Sequence, residues 1–401
     1  MVGPTDSPLK DTSPRGTLAR GSSRLFLLTV RVLLLGATGF VGQRTAAELL
    51  RQPEVDELWL SGRNEGRVAE LSRLFDNNSG RVHPLSLDLT ENPVLRRSGQ
   101  PADVVVSCAG PAYETEVPAV RAAIDAGSSY VSLGDDHGAL QTIRHLDGDA
   151  RSAGVTVVSG CGVSPGITNM LIAHAAPEPE SVAAVDIALA RSSAESEGEA
   201  SARHFLYELA QRAPVVRDGR VQMERAGSSP KLVFFPEPVG WIETFHGGHP
   251  EVATLPDLYP NLTSLEFRLG LAERITMDTA RAFTATPFSR AEGARRLFVA
   301  LTKPARPLID RLPPRGAAWT AARVDVRKGD ANDAASISLG VADRLVNFAS
   351  VPLTLAALRL GRKEVSGTGV LPAEKAFEVK SFLSDLVRRG IGIAQLEPRP
   401  V

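Results

Sequence analysis

A chain of 401 residues, 43% apolar and 23% charged, has material for more than one ordinary core, so two domains are expected. A formal net charge of −1 gives no electrostatic reason for nucleic acid or an anionic membrane as a partner, and two cysteines are too few for a disulfide framework. With no apolar run of the roughly 18–20 residues that span a bilayer, the expectation is a cytoplasmic protein acting on a small molecule.

Residues 1–24 are rich in Pro, Ser, Thr, Gly and Arg without apolar periodicity, which reads as a disordered tail. The stretch RLFLLTVRVLLLG that follows is interrupted by Arg31 and lacks a small-residue cleavage site. Its second half is needed as a first strand, so it is not read as a signal peptide. From 31 to 165, apolar runs (RVLLLG, ELWLSGR, VHPLSLD, DVVVSCAGP, YVSLGDD, VTVVSGCG) alternate with helical patterns. Near-continuous apolar strands separated by amphipathic helices predict a doubly wound parallel sheet, an α/β domain of the Rossmann type.

Gly36-Ala37-Thr38-Gly39-Phe40-Val41-Gly42 follows the first strand and opens the first helix, spaced G-x-x-G-x-x-G. Missing side chains let backbone approach a pyrophosphate, and the helix N-terminus offers N–H groups and positive dipole. A tight turn with no ligand is the plainer alternative; the full β-α-β series stands against it. The second strand, ELWLS, ends at Ser61-Gly62-Arg63-Asn64 with no acid to grip a ribose hydroxyl. Arg63, with Arg67 one turn on, suits a 2′-phosphate, which predicts NADP (NADPH) rather than NAD.

Ligands of such sheets lie beyond the carboxyl ends of the strands, here CAGPAYE (108–114), LGDDHG (133–138) and GCGVSPG (160–166). A nicotinamide transfers the hydride, so the protein must orient the acceptor and manage one proton. His137 beside Asp136 has the chemistry of a donor, and an exposed loop histidine is the alternative. Tyr113 is a second catalytic candidate, as donor or as an apolar wall. Cys161, between glycines, reads as a small packing residue rather than a nucleophile.

After residue 166 the texture changes. Alternating stretches such as VAAVDIALA, KLVFFPE, SLEFRLG and AARVDVRKGD, with one helical segment near RHFLYELAQRA, predict an α+β domain over 166–345 with a mostly antiparallel sheet. Arg191, Arg203 and His204 are candidates for a substrate carboxylate, with surface charge as the alternative. ETFHGGHPE brings His246 and His249 near Glu243 and Glu251 but supplies no third firm metal ligand, so no metal site is assigned. A Pro-rich loop, Pro304 to Pro314, precedes two helical patterns divided by SGTGVLP.

GATGFVG, SGRN, DVVVSCAGPAYETEVPAVRAAIDAGSSYVSLGDD and GCGVSPGITN occur in an order that resembles the saccharopine dehydrogenase-like family, in its saccharopine reductase and carboxynorspermidine dehydrogenase branch. GTGVLPAEKAFEVKSFLSDLVRRGI is similar to that family's closing segment. The resemblance implies a Rossmann domain, 31–165 and 346–401, interrupted by the α+β domain and often assembled as a homodimer. It implies NAD(P)-dependent chemistry at a C–N or carbonyl centre of an amino-acid- or amine-like substrate. By position, Gly36, Thr38, Gly39, Phe40 and Val41 would hold the pyrophosphate, with Gly42 completing the motif. Arg63 would hold the 2′-phosphate, Asp88 would lie by the adenine, and Cys108, Ala109 and Gly110 would line the nicotinamide ribose. Asn169, where the chain crosses into the second domain, would be a substrate-side contact. Ser132 replaces an acid of the family pattern, and Asp136 stands where a Glu is usual. The same scaffold serves enoyl reductases, and a redox-neutral epimerase or a non-catalytic NADP-binding regulator are further readings.

Overall fold

The computed structural model describes residues 29–91, 102–193, 195, 198–305, 319–329 and 335–397. The tail expected at 1–24 and the Pro304–Pro314 loop beyond residue 305 lie outside the described residues.

The first half alternates strand and helix: β1 (Val30–Leu35), α1 (Phe40–Leu50), β2 (Val55–Gly62), α2 (Glu65–Asp76), β3 (Val82–Ser86), β4 (Val104–Ser107), α3 (Ala112–Ala126), β5 (Ser129–Ser132), α4 (His137–Arg144), α5 (Asp147–Ser152), β6 (Thr156–Val158) and α6 (Ile167–Ala175). The strands are parallel in the order 6-5-4-1-2-3. β1 shows why an unbroken apolar run was required. Val30, Val32 and Leu34 enter one core, and Leu33 and Leu35 enter the core on the opposite face, with Ala119, Val120 and Ala123 of α3. The chain order reverses between β1 and β4, and a crevice opens there at the strands' carboxyl ends.

The second half contains β7 (Val182–Arg191), α7 (Glu199–Ala210), β8 (Arg212–Arg217), β9 (Arg220–Arg225), β10 (Lys231–Phe235), β11 (Gly240–His246), α8 (Glu251–Leu258), β12 (Ser264–Leu271), α9 (Arg274–Thr284), α10 (Glu292–Thr302), β13 (Thr320–Lys328) and β14 (Ala335–Asp343). Its sheet runs β10-β11-β12-β7-β13-β14 and is antiparallel throughout this path except where β12 meets β7. Where one helical segment was expected, α8, α9 and α10 form as well. Their inward stripes are short: α9 turns in Met277, Ala280 and the half-buried Phe283, a weak signal beside the strong alternation of the neighbouring strands.

The helix Leu345–Gly361 then returns to the first sheet. It is apolar on nearly every side because it is packed on nearly every side, against α1 and the strands behind it. β15 (Gly369–Val370) extends the first sheet beside β6, but β16 (Ile393–Leu396) pairs antiparallel with β14. Within the segment 346–401, expected with the Rossmann half, β16 therefore joins the other sheet. The edge of β14 accepts it at Gly340, where a side chain would crowd Leu396. One apolar cluster runs through both halves, joining Leu34 and Val106 through Ile167 and Leu171 to Ile187, Phe267 and Val324. Among the described residues no helix is long and apolar enough to cross a membrane.

Candidate functional site

The cradle is built by backbone proximity. Gly36 has φ 72°, and a Cβ there would lie 2.7 Å from the Ala109 amide nitrogen. A Cβ on Gly42 would sit 2.2 Å from the Gly36 carbonyl oxygen. Gly39 is different: its added Cβ would meet only Gly36 O, at 3.3 Å, so its front is open. Asn64 and Asp136 accept backbone N–H groups at the starts of α2 and α4, whereas no side chain caps α1. An uncapped helix start with an open glycine at its mouth fits a dinucleotide pyrophosphate.

The tip of β2 lies against this cradle, since the Ala37 amide donates to Ser61 O at 2.9 Å. Arg63, just beyond it, is exposed; its carbonyl accepts from Ser86 Oγ at 3.5 Å, while its guanidinium makes no hydrogen bond or ion pair with a described residue. Asp88 accepts from the amide and hydroxyl of Thr90, which hold its carboxyl below the usual range, with Arg63 contributing.

A cavity of about 290 Å³ leads from Gly39–Gly42 past Cys108–Ala112, Leu133–Asp135 and Gly162–Ser164. Its far wall, from the second half, includes Leu189, Arg191, His204, Phe205, Glu208, His249, Phe267 and Leu269. A second chamber of about 560 Å³ lies between α7, α9 and α10 and shares Arg191, Gly198 and Phe205 with the first. Its walls include Leu206, Leu271, Ala280, Phe298 and Val299.

Charged groups ring the first cavity. Glu116 is buried and accepts from Ser159 Oγ at 2.9 Å and from Ser132 Oγ; burial pushes its carboxyl up to about 7. Ser132, which departs from the family pattern, thus serves a buried acid on α3. His204 Nε2 lies 3.1 Å from Asp135 and 3.7 Å from Glu208. Burial opposes the imidazolium, but these carboxylates prevail and raise the group to about 9. His249 stacks on Phe267 at 3.9 Å and pairs through Nδ1 with Glu251. Glu251 also accepts from Ser164 Oγ and from Thr168 Oγ1 at 3.0 Å.

The sequence-derived candidates fare unequally. Gly39, Phe40, Val41, Gly42, Cys108, Ala109, Gly110 and Arg191 all line the cavity, and Gly36 and Thr38 form the turn behind it. His137 and Asp136 are not turned towards one another or into the cavity. Asp136 caps α4 by accepting from the Ala139 amide, and His137 opens that helix with Nε2 3.3 Å from Gln141. Tyr113 donates to Glu292 Oε2 at 2.8 Å and stacks on Tyr207 at 4.2 Å, in the seam between the two halves. Arg203 is buried against Glu114 and Glu292, so its charge is committed to the fold. Asn169 accepts from the Gly166 amide and donates to Glu374, which places it behind the crossing turn. Burial pushes the Cys108 and Cys161 thiols up to about 12, consistent with packing roles. His246 joins Glu266 and Arg268, apart from the His249 pair. Sequence reasoning missed Glu116, which in EVPAVRAAID reads as one more surface acid, and missed the His249–Glu251 pairing, which is two residues apart yet meaningful only because Ser164 and Thr168 arrive from the other half.

Fold and cradle together define a two-domain architecture with a candidate dinucleotide site at the sheet crevice. Residues 32–158 match the model of the saccharopine dehydrogenase NADP binding domain. The structure of saccharopine dehydrogenase (L-Glu forming) from Saccharomyces cerevisiae superposes with a TM-score of 0.62 at 15% identity, covering 92% of this chain and 100% of that one. Residues 32–158 are thus similar to the NADP binding domain of saccharopine dehydrogenases, and the chain as a whole shares the fold of that enzyme. A trans-acting enoyl reductase of Mycobacterium tuberculosis is 26% identical over 132 residues, 33% of this chain and 32% of that one. A lipid droplet localized protein of Caenorhabditis elegans is 25% identical over 138 residues, 33% of this chain and 32% of that one. The matched region spans about a third of the length of these curated relatives.

Proposed function

We propose that this protein is an NADPH-dependent reductase whose substrate carries an apolar chain, an enoyl or related acyl compound. The apolar chamber joined to the cofactor cavity at Arg191 and Phe205 carries this reading. Its volume and walls suit a hydrocarbon chain, while a small amino-acid-like substrate would leave that surface unused. Arg203, the more buried of the two arginines expected to grip a carboxylate, is already paired with two glutamates. Relatives named for enoyl reduction favour the same class. Exposed, and with a guanidinium that pairs with no described residue, Arg63 favours NADPH over NADH.

Bound NADPH supplies a hydride. The chain's own residues hold the pyrophosphate at the start of α1, seat the acceptor between Leu133, Phe205 and Phe267, and deliver one proton. The test is NADPH consumption with 2-enoyl thioesters of increasing chain length, run beside a keto acid with an amine. Turnover that improves with chain length is the expected result. Turnover with the keto acid and amine alone would overturn the acyl assignment.

A further inference from the structure

We propose that His249 is the proton donor of this reaction and that Glu251 is its positioning residue; this rests on the reductase reading above. Nδ1 of His249 is taken by Glu251, the ring lies flat on Phe267, and Nε2 makes no hydrogen bond with a described residue. The ring lines the same cavity as Cys108, Ala109 and Gly110. One nitrogen is therefore fixed by a carboxylate and the other is left to the cavity, the arrangement that lets an imidazolium give up a proton in a set direction.

Glu251 is itself over-determined. It is fully buried at the start of α8 and accepts from Ser164 and Thr168, which belong to the turn leading into α6. The dyad is thus assembled only when the two halves are packed together. Burial alone would lower the His249 imidazolium, but Glu251 raises it, with Glu208 of α7 and Asp135 after β5 adding in the same direction. His137 of α4 is the basic neighbour, and burial lowers its own group.

The balance is simple. The acceptor double bond gains a hydride at one carbon, and its electron pair moves towards the carbonyl oxygen. The Nε2 proton of His249 then goes to the other carbon of the former double bond to complete the product, and the imidazole regains its proton from water. Glu251 stays ionised throughout.

The experiment compares wild type, His249→Gln and Glu251→Gln in three readouts: NADPH affinity by fluorescence, kcat against pH with a 2-enoyl thioester, and the imidazole signals by NMR. His249→Gln is expected to lower kcat about 100-fold or more while NADPH affinity stays within about twofold. Glu251→Gln is expected to move the alkaline limb of kcat to lower pH, because an imidazolium without its carboxylate loses its proton sooner. The signal missing in His249→Gln should titrate at lower pH in Glu251→Gln. If wild type turns over and His249→Gln stays within about threefold of it, the dyad assignment falls alone. If wild type turns over neither enoyl thioester nor keto acid with amine, the reductase reading falls and the proton delivery with it. An unmoved alkaline limb in Glu251→Gln, with native NADPH affinity, would overturn the positioning role.

Discussion

A 2′-phosphate brought to the tip of β2 would meet an exposed guanidinium with no hydrogen bond or ion pair to a described residue to give up, so Arg63→Ala should weaken NADPH far more than NADH. A hydrogen bond to a charged group is worth about 1.5–3 kcal/mol, which corresponds to roughly a 10–100-fold rise in Kd for NADPH; equal changes for both cofactors would exclude the assignment. Glycines of one motif should behave differently. Gly42→Ala puts a Cβ 2.2 Å from the Gly36 carbonyl, and overpacking of about 1–3 kcal/mol or more should lower Tm and abolish cofactor binding. Gly39→Ala has only one 3.3 Å contact to accommodate, so Tm should hold while NADPH binding suffers. Asp136 shows the opposite lesson. An acid beside a histidine suggested chemistry, but a helix that begins at residue 137 recruits that acid as its cap.

Between elements, α7, α9 and α10 enclose the chamber that separates an acyl substrate from a small polar one. Thr276, on the wall at the first turn of α9, is half-buried, so Thr276→Phe should fill the space without disturbing the cradle. The expected outcome is a preference shifted to short-chain thioesters with unchanged NADPH affinity; an unaltered chain-length profile would remove the chamber from the substrate path. Element types were unevenly legible. The hairpin β8–β9 had its signal in Asp218-Gly219, both left-handed at φ 50° and 71°, the turn an Asp-Gly pair favours. The short helices α8–α10 had no comparable punctuation.

Across the whole molecule, the seam between the halves is held by Tyr113, Glu114, Arg203, Glu292 and Arg295 and by His204 with Asp135. Burial works against the Glu292 carboxylate, but Tyr113, Arg295 and Arg296 bring it down to about 2. A depressed acid contributes stability above its unfolded value of 4.5 that is lost as pH falls towards 2. His204, raised to about 9, contributes below its unfolded 6.5 and loses that contribution as pH rises through 9. Calorimetry should therefore find Tm declining on both flanks, and Glu292→Gln should flatten the acid one. Arg203→Ala leaves two carboxylates without their shared cation and should cost about 2 kcal/mol, below the roughly 3–5 kcal/mol of a fully buried pair because Glu292 is partly exposed. A Tm within a degree of wild type would show that the seam does not need this clasp.

The sequence by itself determined the parallel sheet and the glycine cradle, and it set the expectation of NADP. Those features depend on local period, on glycines in a row and on the residue at one strand tip, all within a short stretch of chain. Only the tertiary structure decided which side chains face the cavity. Glu116 became a cavity acid because Ser132 and Ser159 meet it from separate strand ends, and His249 became a candidate donor because Ser164 and Thr168 fix its carboxylate from the other half. Tyr113, Arg203 and Asn169 were spent on packing for the same reason: a polar group buried by long-range contacts must find partners wherever the fold brings them.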